Sequence, residues 1–170
     1  MQKVDLKSMT FAELQQFVED LGEKKFRTTQ LYQWMHQKMV KEFANMTNLS
    51  AAFRDKLEEQ AALNGCTMVK RQISADGTNK FLMELSDGNK VESVLMKYHH
   101  GNSVCISTQV GCRMGCRFCA STVGGLNRSL TTGEMLEQIY EVQRITGERV
   151  SNVILMGIGE PLDNYENVVR

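Results

Sequence analysis

Four of the chain's five cysteines crowd between Cys105 and Cys119, and three of them, Cys112, Cys116 and Cys119, follow one another at spacings of four and three. Gly111 and Gly115 relieve backbone strain there, so a short loop can turn its sulfurs toward one point. Residues 1–30 carry no basic-then-apolar leader, and no run approaches the roughly 18 apolar residues of a membrane span. The sequence therefore predicts a cytoplasmic, reducing setting, where an odd and tightly spaced cysteine set favours metal binding over disulfides. Three thiolates leave a tetrahedral zinc one ligand short. His99 or His100 would close such a site, or else they are turn residues. An iron–sulfur cluster of the 4Fe–4S type ordinarily takes four cysteines; held by three, it keeps one iron open to a substrate or cofactor. A metal-free loop would leave dense exposed thiols open to oxidation.

The rest of the chain frames that loop. Its 170 residues carry 20 Lys plus Arg against 20 Asp plus Glu, and 42% are hydrophobic. Such a chain buries a real core, and its neutrality excludes a polybasic protein that binds nucleic acid by net charge alone. Residues 1–65 read as short amphipathic helices forming an accessory domain. Thr10 and Glu13 have capping-box spacing ahead of Phe11, Leu14, Phe17, Val18 and Leu21, and Gly22 supplies a stop. A second helix is predicted from Thr28 or Thr29 with Leu31, Trp34, Met35 and Met39 on one face. A third is predicted from Ser50, with Phe53, Leu57 and Ala61 inward, to Gly65. The run Lys24-Lys25-Phe26-Arg27 between the first two reads either as an RNA phosphate contact or as a solvated turn. Nine basic and nine acidic side chains across residues 1–64 favour the turn.

Residues 66–101 change period. Asp76-Gly77 and Asp87-Gly88 separate runs such as Phe81–Leu85 and Val91–Met96, which predicts a three-stranded meander with tight turns whose central residues both tolerate positive φ. From 102 to 170 the pattern is strand, loop, helix, strand. Ser103–Ser107 is extended, Gly111–Gly125 is a loop, and Thr131 to Glu134 caps a helix that closes at Gly147. Val150–Met156 reads as a buried-type strand, and a further helix starts near Asn164. That is one βαβ unit with parallel strands. Two parallel strands alone leave faces and edges uncovered, as in the start of a longer design. The fold class is α/β.

Cys112-x₃-Cys116-x-Phe118-Cys119 resembles the radical S-adenosylmethionine (radical SAM) signature. The flanking Cys105–Cys112 segment, Gly124-Gly125-Leu126-Asn127-Arg128, and Met156-Gly157-Ile158-Gly159-Glu160-Pro161 resemble the RNA adenosine methyltransferases of the RlmN/Cfr group, over essentially the whole chain. Pro161 after Glu160 is closer to the RlmN type, which methylates carbon 2 of adenosine in 23S rRNA and tRNA; the Cfr type acts on carbon 8. A zinc-dependent RNA-binding module is a third reading. The resemblance implies a truncated partial (β/α) barrel from residue 102. It also implies a 4Fe–4S cluster on Cys112, Cys116 and Cys119, S-adenosylmethionine as cofactor, and an external electron donor such as a flavodoxin.

By the same resemblance, Gly159, Glu160 and Phe118 contact S-adenosylmethionine. Cys105 is a catalytic thiol that releases methylated RNA from a protein crosslink, and Glu92 accepts a proton at the modified adenosine. Read bare, Gly157–Glu160 is a strand-exit turn, Phe118 and Cys105 are core residues, and Glu92 is a surface carboxylate. Cys66 matches no motif and reads as structural. The family's methyl-carrier cysteine lies near the C-terminus of a longer chain and has no counterpart here, so this chain alone is expected not to turn over. From Ser93 through Gly133 there is no acidic residue, whereas Lys97, Arg113, Arg117 and Arg128 fall inside it. That stretch suggests a basic surface for an anionic cofactor or an RNA backbone.

Overall fold

A computed structural model describes residues 3–170 and divides the chain into two compact units, one ending at Asn64 and the other spanning Gly65–Arg170. In the first unit, α1 (Phe11–Asp20) starts at a complete capping box. Thr10 Oγ1 accepts from Glu13 N–H, and the Glu13 carboxylate accepts from Thr10 N–H at 2.8 Å. The next helix, α2 (Phe26–His36), begins two residues before the predicted Thr28, and Met39 lies past its end with φ +53°. Ser50 caps α3 (Ala51–Gln60), which stops short of the predicted Gly65. Its chain continues as β2 (Ala61–Ala62), paired in parallel with β1 (Val4–Asp5). Leu14, Val18, Leu31, Met35, Phe53 and Leu57 converge in one core with no more than 1% exposure each.

The second unit is a five-stranded sheet in the order β3 (Cys66–Ile73), β4 (Asn79–Leu85), β5 (Lys90–Tyr98), β6 (Gly101–Cys105), β9 (Val150–Ile154). The first four strands pair antiparallel; β6 and β9 pair in parallel around α4 (Thr132–Thr146). The meander and the βαβ unit are thus one sheet, continuous across residue 101. Both Asp-Gly sites make hairpins, by a different turn from the one predicted. Only the glycines have positive φ, each +83°, and the loops Ala75–Gly77 and Ser86–Gly88 close when Gly77 donates to Ser74 O and Gly88 to Leu85 O. The aspartates instead accept from Thr78 and Asn89 N–H, stabilising the turns by side-chain bonds.

Helix α4 also starts at a full capping box, Thr131 with Glu134, and ends at Gly147 in the left-handed region. Its Met135 and Val142 cover one sheet face, packing with Phe81, Met83, Leu95 and Val104. The opposite face carries Lys80, Glu92 and Val94 at the alternate positions. The reading of β9 as fully buried does not hold: it is the sheet edge, Val153 is 47% exposed, and Ile106, Met135, Ile139, Val153 and Leu155 line an open apolar groove. Between β6 and α4 runs a hairpin of β7 (Gln109–Gly111) and β8 (Leu126–Ser129), two strands that the sequence does not predict and that flank the expected Gly111–Gly125 loop. The chain closes with a 3₁₀ turn, Pro161–Asn164, and α5 (Tyr165–Val168).

Phe53 is fully buried in the smaller unit. Phe53→Ala should cost about 3–5 kcal/mol, comparable to the whole stability of so small a core. The single tryptophan, Trp34, packs against that core, so its emission should shift to the red in Phe53→Ala at 25 °C and stay unshifted in Phe53→Leu.

Candidate active site

The exits of β6 and β9 lie side by side, and a buried polar tripeptide sits at that junction. Ser107, Thr108 and Gln109 are each no more than 1% exposed, so their polar groups must find partners inside the protein. Several of those partners lie in the backbone of the glycine segment after β9, while the buried Thr108 hydroxyl has none among the described residues. Ser107 Oγ accepts from Ile158 N–H at 3.0 Å, Ile158 O accepts from Thr108 and Gln109 N–H, and Gln109 Oε1 accepts from Glu160 N–H at 3.0 Å. The approach is close enough to require glycine twice. A Cβ on Gly157 would lie 2.6 Å from Ile106 O, and one on Gly159, at φ +104°, would lie 2.6 Å from Gln109 Cβ. Glu160 also accepts from Leu162 N–H, capping the turn that follows.

Gln138, fully buried on α4, locks the tripeptide from the other side. Its Oε1 accepts from Ser107 N–H and Ser93 Oγ–H, and its Nε2 donates to Ser107 O, all at 2.9 Å. Ser107 Oγ donates in turn to Glu92 O at 2.7 Å. Residues 107–109 enter the sequence reading only as a strand end and as part of the Cys105–Cys112 segment, with no site role, and Gln138 does not enter it. The only signal was a run of polar side chains directly after an apolar strand.

The cysteine loop hangs from the same tripeptide through the β7–β8 hairpin. Cys112 N–H donates to Gly125 O at 3.0 Å, and a Cβ on Gly111, at φ +75°, would lie 2.0 Å from that oxygen. Cys112 is buried, Cys116 exposed and Cys119 half-buried, and all are free thiols. Hydrogen bonds from the Ser121 hydroxyl and from the Ser121 and Thr122 N–H groups hold the Cys119 thiol below its ordinary value, favouring the thiolate that a metal takes. Among the described residues no three His, Cys, Asp or Glu stand together as a ready metal site. The loop presents its thiols without gathering them. Three cysteines of one loop, one of them acidified, are a donor set that fits a thiophilic cluster whose binding would draw them together. Phe118 is 94% exposed and so is no core residue.

Cys105 ends β6 between Val94 and Ile154. Burial raises its thiol, partly opposed by a hydrogen bond from Met156 N–H. Glu92 lies two residues from Val94 on β5, which places it on the same sheet face as Cys105, as a diagonal neighbour. Its carboxylate pairs with Lys80 at 2.8 Å. The acid-free stretch, by contrast, is not a free basic surface. Lys97 pairs with Glu148, Arg113 with Asp163, and Arg128 with Asp87 and Glu134, every partner coming from outside the stretch. Of the four cations, Arg117 alone has no ion pair among the described residues. Cys66 is buried against Met83.

Residues 4–63 match the family model of the ribosomal RNA large subunit methyltransferase N-terminal domain. The chain is 57% identical over 170 residues to a probable dual-specificity RNA methyltransferase RlmN of Lachnoclostridium phytofermentans, covering 99% of this chain and 48% of that protein. It is 61% identical over 167 residues to the protein of the same description from Lachnospira eligens, covering 98% and 48%. A crystal structure of a radical SAM methyltransferase from Sphaerobacter thermophilus matches with a TM-score of 0.89 at 36% identity, over 98% of this chain and 50% of that one. The chain thus spans about half the length of the curated relatives it matches.

The Arg128 guanidinium beside Asp87 holds that carboxyl well below the usual carboxylate range. A depressed folded-state value stabilises the fold fully above the unfolded value of about 3.9 and loses that contribution as pH falls further. Asp87→Asn should therefore lower the urea unfolding free energy by about 0.5–1 kcal/mol at pH 7. The difference should hold down to about pH 5 and narrow progressively below about pH 4.

Proposed function

We propose that this chain, which belongs to the RlmN family of radical SAM methyltransferases, carries the cluster-binding and cofactor-binding part of an enzyme that methylates carbon 2 of adenosine in 23S rRNA and tRNA. The observation that supports this most is the Ser107–Gln109 clasp, from which both the cysteine loop and the Gly157–Glu160 segment hang, beside a sheet face holding Cys105 and Glu92.

Cys112, Cys116 and Cys119 would hold the 4Fe–4S cluster. When bound, the cluster and S-adenosylmethionine supply one-electron cleavage of the sulfonium and the methyl group. Gly159 offers backbone without a side chain in the way, Glu160 a carboxylate acceptor for an amine, and Phe118 a solvent-facing ring for an adenine. Cys105, its thiol raised by burial, is protonated at neutral pH and must give up that proton before it attacks; the Met156 N–H stabilises the sulfur as charge develops. Glu92, oriented by Lys80 on the same face, would take a proton from the adenosine. The partners are these RNAs and a flavodoxin-type electron donor, in the cytoplasm; among the described residues no helix is long and apolar enough to cross a membrane.

The test uses the full-length protein, purified without oxygen. It should hold about four iron and four sulfide per chain, and each of Cys112→Ser, Cys116→Ser and Cys119→Ser should remove most of both. Cys105→Ala should keep the iron while leaving RNA covalently attached, read by gel shift under denaturing conditions. Zinc without sulfide would overturn the reading, and 8-methyladenosine in the nucleoside mass spectrum would overturn the product.

A further inference from the structure

Two loops that lie far apart in sequence meet on one carboxylate. Asp163, in the 3₁₀ turn after Glu160, is 12% exposed at its side chain. Its Oδ2 accepts from Gln109 Nε2 at 2.9 Å, and its Oδ1 accepts from the Arg113 guanidinium, Nε lying at 3.1 Å. Gln109 is the fully buried side chain whose Oε1 holds Glu160 N–H. Arg113 follows Cys112 directly and is 63% exposed. A continuous path therefore runs from Arg113, beside the first cysteine of the loop, through Asp163 and the Gln109 carboxamide, to the backbone of Glu160. Each step is a hydrogen bond, and the step from Arg113 to Asp163 is charge-assisted at both ends.

The geometry points to Asp163 as a positioning residue that couples the cysteine loop to the Gly157–Glu160 segment, so that order in one loop is transmitted to the other through Gln109. Fixing Arg113 fixes Asp163; Asp163, with a longer contact from the same nitrogen to Ser129 Oγ at 3.3 Å, holds the Gln109 carboxamide in the orientation that presents Oε1 to Glu160, and the segment keeps its shape. Glu160 N–H is then the group most exposed to a break in the path. Gly157 N–H, which donates to Ile106 O outside it, is insulated. Asp163 N–H also donates to Glu160 O at 3.1 Å within the turn, so a role confined to the turn would speed exchange at Asp163 N–H as much as at Glu160 N–H, whereas passage through Gln109 speeds Glu160 more.

Amide hydrogen exchange on the full-length protein, kept free of cluster and S-adenosylmethionine, tests the coupling without any cofactor. Arg113 is largely exposed, so Arg113→Ala leaves the core intact. It should speed exchange at Glu160 roughly fivefold and leave Gly157 within about twofold. Asp163→Ala should speed Glu160 roughly tenfold, and the double variant should be no faster than Asp163→Ala alone. Unchanged exchange at Glu160 in Arg113→Ala, equal acceleration at Gly157, or additive single effects would each overturn the coupling. A second measurement rests on the function proposed above: equilibrium dialysis of S-adenosylmethionine against the full-length, cluster-loaded protein. Arg113→Ala should weaken binding roughly fivefold at unchanged iron content. An unchanged Kd would overturn the reach of the coupling to the cofactor. An unmodified protein that binds no S-adenosylmethionine would overturn the functional reading while exchange at Glu160 still decides the coupling.

Discussion

Everything distinctive about the larger unit depends on satisfying buried hydrogen-bonding groups where two parallel strands end. Strands β6 and β9 run out at the same edge, and the chain must leave each of them without exposing backbone inside the fold. Ser107, Thr108 and Gln109 solve this by bonding to Ile158 and Glu160, and Gln138 secures Ser107 from the helix above. A buried polar network of this kind is costly when partly satisfied and rigid when complete. Here the groups that join strand exit to glycine segment are bonded, so the segment is held in place rather than tethered. The apolar core under α4 supplies stability; the polar clasp supplies position.

The local rules in the sequence were read with little loss. Both capping boxes, the stop at Gly147 and the change from helical to alternating period depend on neighbours within four residues, and the structure has all of them. So was the fold class, because strand, helix and strand in that order leave a parallel pair as the simple solution. The Asp-Gly turns were located correctly but given the wrong conformation: aspartate prefers to bond its own turn through the side chain, leaving glycine to supply the left-handed residue. The mostly apolar run Val150–Met156 predicts a buried strand, yet position in the sheet decides burial and β9 is an edge.

The candidate site was half legible. Cysteine spacing and the glycines after β9 stand out in one dimension because they are unusual residues at short separations. The Ser107–Gln109 clasp and Asp163 do not, because their partners lie 15 to 56 positions away, on backbone and side chains alike. Charge shows the same limit. A stretch without acids looks like a basic patch until Asp87, Glu134, Glu148 and Asp163 are brought to it by folding. Counting charges along a chain measures composition, whereas pairing is a property of the fold.

The contact between Gly111 and Gly125 has a consequence for how this architecture can vary. The mouth of the cysteine loop is sealed by main chain alone, at a separation that admits no side chain. Between the two glycines, Arg113 and the three cysteines are bound by the roles described for them, whereas an outward residue such as Arg117 answers to what meets it from outside and not to the packing of the sheet below. Diversity in recognition can accumulate there while the frame that carries it stays the same.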